Sequence, residues 1–459
     1  MDDLQKMVSG VLENTPQGRS IVSAGSAITG LKKLPISNTR NFAGFTGPGR
    51  SVTTQPETEP VEIYELSVGQ PDSESEGFVL ASNDDRIGNI LAIAEGSLED
   101  ANEEFQEVLN ANLQEYIDAT IAEYNSITEE EIEAAIEKAI AEDVEGARAL
   151  STHWSALASL SGSNWKASLY WSDFSIQKSP LLLTKWGQGS QGAYSTSGGA
   201  YNNYVKYKKG NDQYLTGCAP TAIAQIIAYH NYVKPNVPYT PASFNIANVG
   251  NWTGTYNLSL IRNLTTITNT SSAAAKGQVA ALMYHIGLPG MTNAVYGEKG
   301  TGADRVYYKS TFEKFGYTVP TSYADATTLT ETSSSSTFIY HTGLTTIKNA
   351  LNNNRPILIT GYNSGLSLGH AWVIDGYGSM TTYMECFNNA QTGQTYYVTA
   401  ILTNCLMVHC NLGWSGKANG WYVYGIFDTG DRTLLETSSD QSGNHEFSAM
   451  TSIWIPQKP

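Results

Sequence analysis

The chain has 459 residues, 41% of them apolar and 15% charged, with a net charge of −16. That length exceeds one ordinary hydrophobic core, so two or more units are expected. No basic stripe supports nucleic-acid binding, no run reaches the roughly 18 apolar residues of a membrane span, and four cysteines are too few for a disulfide scaffold.

Composition rich in Gly, Ser, Thr, Asn and Tyr suits a secreted or cell-envelope protein. Met1-Asp2-Asp3 has none of the basic and apolar character of a signal peptide, so the expectation is an exported chain written here without its leader. Charge is uneven. Residues 1–170 hold 29 acidic and 10 basic side chains, a balance of −19. The remainder holds 14 and 17, a balance of +3. Two units that attract one another weakly at long range are expected from that split.

In chain order, residues 1–60 read as loosely structured. The stretch 61–68 alternates with period two, as a strand does, and 77–82 and 90–95 are further strands around the turn Asn83-Asp84-Asp85. Phe105, Leu109, Leu113, Tyr116, Ile117 and Ile121 then recur at helical spacing. Ile132, Ile136 and Ile140 predict a second helix behind a capping box at Thr128 and Glu131. Residues 150–178 read as a polar link open to cutting. Beyond it come helices at 218–230, 274–286, 303–315 and 344–352. Strands follow at 357–362, 371–374, 396–402, 406–411 and 421–426.

Cys218 is the residue with the clearest chemistry. Gly217 permits a tight turn, and a helix opening at Cys218 places unpaired N–H groups and a positive dipole end beside the sulfur, favouring the thiolate. Gly369-His370-Ala371-Trp372 offers a base at a strand mouth, and Asn411 an amide to orient the ring. Gln188, in Trp186-Gly187-Gln188-Gly189, offers an oxyanion donor beside the Cys218 backbone N–H. Each has a plainer reading: a buried small thiol, a strand-end histidine, a turn asparagine and a loop glutamine. Their combination and their order, Cys then His then Asn, favour nucleophilic catalysis.

Together these stretches resemble the streptopain-type cysteine peptidases of the papain-like group. The matching segments include 216–232, Tyr296-Gly297, 305–317, 369–376 and 409–414. The resemblance implies an α+β chain whose papain-like catalytic domain, 171–459, has a helical lobe and an antiparallel β-sheet lobe. It implies catalysis by Cys218, His370, Gln188 and Asn411, without cofactor or metal, on protein or peptide substrates. Gly369, Gly217, Thr301 and Trp414 would border the substrate, Gly369 and the loop 297–303 on its non-primed side. Residues 78–86 are similar to a strand-turn of the family's inhibitory propeptide. Residues 1–170 are thereby expected to be a small α+β prodomain, an intramolecular inhibitor released by cutting near 166–178.

Two departures stand out. Leu412 replaces the tryptophan the family usually places after the asparagine. The segment between Gly378 and His409 is longer than the family's connection and carries Cys386 and Cys405 around a hairpin turn, as a disulfide or as two thiols. A metal site at Cys405, His409 and Cys410 is set aside, because neighbouring strand residues face opposite ways and no second ligand pair has zinc spacing. Two other functions remain open: a binding or adhesion protein on a peptidase fold, and a thiol acyltransferase.

Overall fold

The structure, a computed structural model, describes residues 8–9, 12, 27–36, 61–70, 76–83, 90–101, 103–126, 165–189, 201–209, 212–238, 254–268, 270–298, 300–319, 322–323, 340–362, 369–389, 395–426 and 452–459. The front unit begins as a meander. Strands β1 (Ala27–Lys33), β2 (Ile63–Gly69), β3 (Gly77–Ser82) and β4 (Ile90–Glu95) pair antiparallel in sequence order. β1 lies in the stretch expected to be loose. It is a largely exposed edge strand with a bulge between Ile28 and Gly30, so no apolar alternation announces it. Helix α1 (Glu103–Ser126) follows and buries Phe105, Leu109, Leu113, Tyr116 and Ile117, the stripe its spacing predicts. The second helix expected near 128–140 lies outside the described residues.

Strand β5 (Trp165–Lys178) occupies what was expected to be an open link, and the boundary expected at 170 falls inside it. Two short strands, β6 (Lys208–Lys209) and β7 (Asp212–Gln213), precede helix α2 (Cys218–His230). Next come α3 (Ala273–Gly287), the ribbon of β8 (Val295–Tyr296) and β9 (Thr301–Gly302), α4 (Tyr308–Phe315), β10 (Ser322–Tyr323) and α5 (Tyr340–Asn352). A 3-10 turn at Arg305–Tyr307 replaces the first part of the helix expected from 303. The chain closes with β11 (Ile357–Tyr362), β12 (Gly369–Asn389), β13 (Thr395–Asn411), β14 (Gly420–Val423) and β15 (Ser452–Trp454). The expected strands at 396–402 and 406–411 are one continuous strand, β13.

Mixed helices and antiparallel sheet make this an α+β fold. Eleven of the described strands form one sheet, running β1-β2-β3-β4-β14-β13-β12-β11-β15-β10 with β5 also on β12, while β6-β7 and β8-β9 are separate two-stranded ribbons. The two units are therefore joined by backbone pairing, a far closer union than the long-range attraction expected from charge. The joint is β4 on β14, with Ile93 opposite Trp421. Gly420 permits it, because a Cβ there would collide with Ile93 O and the Ala94 backbone.

The sheet separates two cores. Along β12, Trp372 and Ile374 join Phe78, Leu80, Ile93 and Leu109 of the front unit in one apolar cluster. Ala371 and Val373 face the other way, onto Ile223 and Ile227 of α2, Met283 of α3 and Phe312 of α4. α2 is buried on nearly every side, consistent with its continuous apolar sequence. It ends at Asn231, whose positive φ of 50° supplies the left-handed cap.

The long β12–β13 arm settles the cysteine pairing. Cys405 lies opposite Met380 and Cys386 opposite Val398, so six residues of strand separate the two along the ladder. At about 3.3 Å per residue this is roughly 20 Å, far beyond disulfide reach. That backbone register rules out a Cys386–Cys405 bridge. On its other edge, β12 pairs with β5 from Tyr377 opposite Lys178 to Asn388 opposite Trp165. A protease must lift a strand out of its ladder before it can bind the backbone. Trypsin is thus expected to spare the bond after Lys166 in the native chain and cut it once urea unfolds the protein. Rapid native cleavage at Lys166 would contradict the pairing of β5.

Candidate active site

Cys218 begins α2 and is half-buried as a thiol. Gly217 before it has φ 96° and ψ 154°, a conformation side chains rarely adopt. A Cβ at Gly217 would also lie 3.0 Å from both Thr301 O and Thr301 Cγ2. Thr301 is buried against this turn and donates its hydroxyl to Leu215 O at 2.7 Å. The first turn carries no acidic residue to oppose a sulfur anion.

Gln188 is stitched to the same turn. Its carbonyl accepts from Thr216 N at 2.9 Å and from Thr216 Oγ1 at 3.0 Å, two residues before the sulfur. Its side-chain Nε2 is buried and has no hydrogen-bond partner. An unused buried donor is what an oxyanion hole requires before substrate arrives.

His370 is the second residue of β12, opposite Gly361. Gly369 beside it is half-buried and faces Tyr362 across the ladder. The imidazole is only 2% exposed. Trp414 stacks on it at 4.2 Å and 19°, and Phe105 of α1 meets it edge-on at 5.7 Å and 69°. Phe105 also contacts Trp372, Trp414 and Tyr422. Next to it Val108 lies in the gap left by Gly361, where a Cβ would come within 3.0 Å of Val108 Cγ1. Burial pushes the His370 pKa down to about 3, with the Leu412 carbonyl pulling weakly the other way.

Sequence alone missed the ring's orienter. His370 Nε2 lies 3.0 Å from Leu412 O. A carbonyl can only accept, so Nε2 carries the proton and Nδ1 is the bare, basic atom. Nδ1 has no hydrogen-bond partner, so neither ring nitrogen is bonded to Cys218.

Asn411, expected to hold the ring, does something else. Its Oδ1 accepts from Gln225 Nε2 at 3.2 Å, and its Nδ2 donates to Thr184 O at 2.6 Å. The register explains why. Asn411 sits opposite Val373 and shares its face toward α2, whereas His370 has the parity of Trp372 on the opposite face. Gln225 also accepts from Trp186 N at 3.1 Å. The amide pair therefore fastens α2 and the segment carrying Gln188 to the end of β13.

Leu412 opens a turn that the front unit holds. Leu412 N donates to Asn419 Oδ1 at 2.8 Å, Ala418 N to Glu95 O at 2.8 Å and Glu95 N to Asn419 O at 2.8 Å. Lys185 pairs with Glu95 at 2.6 Å, though both are too exposed for that ion pair to contribute much. His409, considered above as a metal ligand, lies with Nδ1 2.6 Å from Asp375 Oδ1, and Asp375 Oδ2 accepts from Leu182 N.

The sequence profile described as the Peptidase C10 family matches residues 196–422. Residues 196–422, the segment that holds Cys218, His370 and Asn411, are a C10 peptidase segment. No curated protein matches it. Among solved structures it is similar to a mutant fragment of prointerpain A from Prevotella intermedia, at 18% identity and a TM-score of 0.41, covering 85% of this chain and 94% of that one. It is also similar to active wild-type interpain A cysteine protease from the same organism, at 24% identity and a TM-score of 0.33, covering 54% and 85%.

Within this C10 segment, replacing Asn411 should act on the fold before the chemistry. Asn411→Ala leaves the Gln225 amide and Thr184 O short of a partner, at a cost of about 1–3 kcal/mol. Urea unfolding should record that loss, while turnover per folded molecule stays within about tenfold of the parent, reflecting an intact ring orienter at Leu412. Full stability with turnover down a thousandfold would return the orienting role to Asn411.

Proposed function

We propose that this cysteine peptidase is an endopeptidase made as a self-inhibited zymogen and, from its composition, one that works outside the cell or on its envelope. Cys218 Sγ attacks the substrate carbonyl carbon. His370 Nδ1 takes the thiol proton and later gives it to the leaving amine, and water then cleaves the thioester. Gln188 Nε2 and the Cys218 N–H hold the oxyanion. The observation that carries the reading is the unpartnered, buried Nε2 of Gln188, a residue whose backbone carbonyl is tied to Thr216, two residues before Cys218. The chemistry needs reduced sulfur and no cofactor.

Self-inhibition rests on Phe105. While α1 is docked, His370 is roofed by Phe105 and Trp414 and bonds nothing through Nδ1. Departure of α1 would unroof the ring and leave it able to turn toward Cys218. Cutting that frees the front unit would act outside the paired strand β5. Protonation biases the same step. The docked imidazole gains a proton only near pH 3, and an exposed one near 6.5. Between those values the released state binds more protons, so falling pH favours release, by about 2 kcal/mol at pH 5. Above pH 6.5 the docked state keeps its full stability.

Two experiments follow. Gln188→Ala, matured by added protease, should lower kcat on a peptide ester or amide by about 10²–10³ with its thermal midpoint unchanged, and Cys218→Ala should abolish turnover. Turnover surviving in Cys218→Ala would remove the mechanism, and ligated amide in place of cleaved peptide would make the enzyme an acyltransferase. Phe105→Ala in the uncut chain should speed labelling of Cys218 by a peptidyl epoxide at least tenfold at pH 8, and by a smaller factor at pH 5, where acid already favours release in the parent. Unchanged labelling would mean that α1 is not what holds the site shut.

A further inference from the structure

The end of α2 opposite Cys218 borders a second site. The two ends are 12 residues apart, roughly 18 Å along the helix. There a cavity of about 520 Å³ is walled by Tyr229, His230, Arg262, Asn353, Arg355 and Lys458, among others. In a chain of net charge −16, its lining includes three permanent cations and no Asp or Glu, so that even with the terminal carboxylate of Pro459 counted the wall keeps a positive surplus. The three arrive from separate places: the turn after Leu258–Leu260, the link between α5 and β11, and the tail beyond β15. None of them is in an ion pair among the described residues. Like charges gathered this way repel one another unless an anion intervenes.

His230 supplies a second, independent sign. The residue lines the cavity and is 8% exposed, and its Nε2 is buried with no hydrogen-bond partner. Burial first, then the charges of Lys458 and Arg355, push its pKa down to about 4, a sign of the local positive field. The carboxyl end of α2 also points this way, but its dipole amounts to only about half a negative charge against three positive ones. Asn354 adds a polar wall, its Oδ1 already accepting from Lys178 Nζ at 2.8 Å. The volume is many times the roughly 30 Å³ of one water, so the space admits an oxyanion together with the group that bears it. The Tyr229 ring and the asparagine amides suit a small hydroxylated or planar body.

We propose that this cavity binds a phosphate- or sulfate-class oxyanion carried on a small molecule, at a site separate from the catalytic cleft. The guanidinium groups of Arg262 and Arg355 grip the oxyanion and Lys458 closes over it. Such a ligand ties together three segments around the far end of the nucleophile helix and stabilises the fold by mass action.

The test needs no peptidase activity, so it stands or falls apart from the function proposed above. Full-length Cys218→Ala protein is titrated with inorganic phosphate and, separately, inorganic sulfate, with sodium chloride holding ionic strength constant. Calorimetry and the thermal midpoint are read together, with the His230 ring resonances as the local probe. A saturable response to one or both oxyanions, with the His230 signals moving in step, is expected, and whichever binds tighter identifies the headgroup. The Arg262→Gln, Arg355→Gln double variant should bind at least tenfold more weakly while keeping its thermal midpoint in chloride. Should that variant fail to fold, Lys458→Gln, in the exposed tail, takes its place with the same expectation. A response no greater than that to chloride, or full affinity in the folded variant, would overturn the proposal.

Discussion

The ring of Phe105 lies edge-on among four aromatic neighbours, one of them the imidazole that the proposed chemistry requires. Each such pair contributes about 0.5–1.5 kcal/mol beyond simple burial. The contact does two things at once. It anchors the helix of the front unit to the sheet of the back unit, and it holds His370 dry, neutral and unable to take a proton at ordinary pH. The tautomer set by Leu412 already leaves Nδ1 as the base. What is withheld is the partner, not the orientation chemistry.

Everything around that contact is arranged through one sheet. Pairing of β4 with β14 brings the front unit up to the turn 412–419, and that turn supplies the carbonyl that orients the imidazole. The period of two along β12 then sorts the chemistry. His370 and Trp372 face the front unit, whereas Ala371 and Val373 face α2, which Cys218 opens. Thiol and imidazole belong to different layers, and the amide pair of Gln225 with Asn411 fastens those layers beside the cleft. Under the proposed mechanism, occupying a single face of the sheet keeps the peptidase folded and silent.

Cys218, His370 and Gln188, the proposed nucleophile, base and oxyanion donor, were legible as candidates because each sits in a local context with a physical signature: a glycine before a buried helix, a glycine before an apolar strand, and glycines around a glutamine. The long stripe from Phe105 to Ile117 was legible for the same reason. Asn411 misled because sequence order says nothing about face. Only the register, Val373 opposite Asn411, reveals that its amide turns toward α2. The Leu412 carbonyl is a backbone atom, and no side-chain pattern can announce it. Phe105 read as one more core residue of its helix, since a partner hundreds of residues away leaves no local trace. β5 escaped because its ladder depends on the insertion between Gly378 and His409, and neither strand of a pair predicts the other from polarity alone.

The central claim concerns the state of one imidazole, and NMR can read it directly. In full-length Cys218→Ala protein labelled at histidine, the Cε1–H resonance of His370 should titrate near pH 3 and report the Nε2–H tautomer at neutral pH. Separation of the front unit should move that midpoint upward by units. A midpoint near 6.5 in the intact chain would mean that Phe105 and Trp414 do not seal the ring, and the proposed lock on this peptidase would have no physical basis.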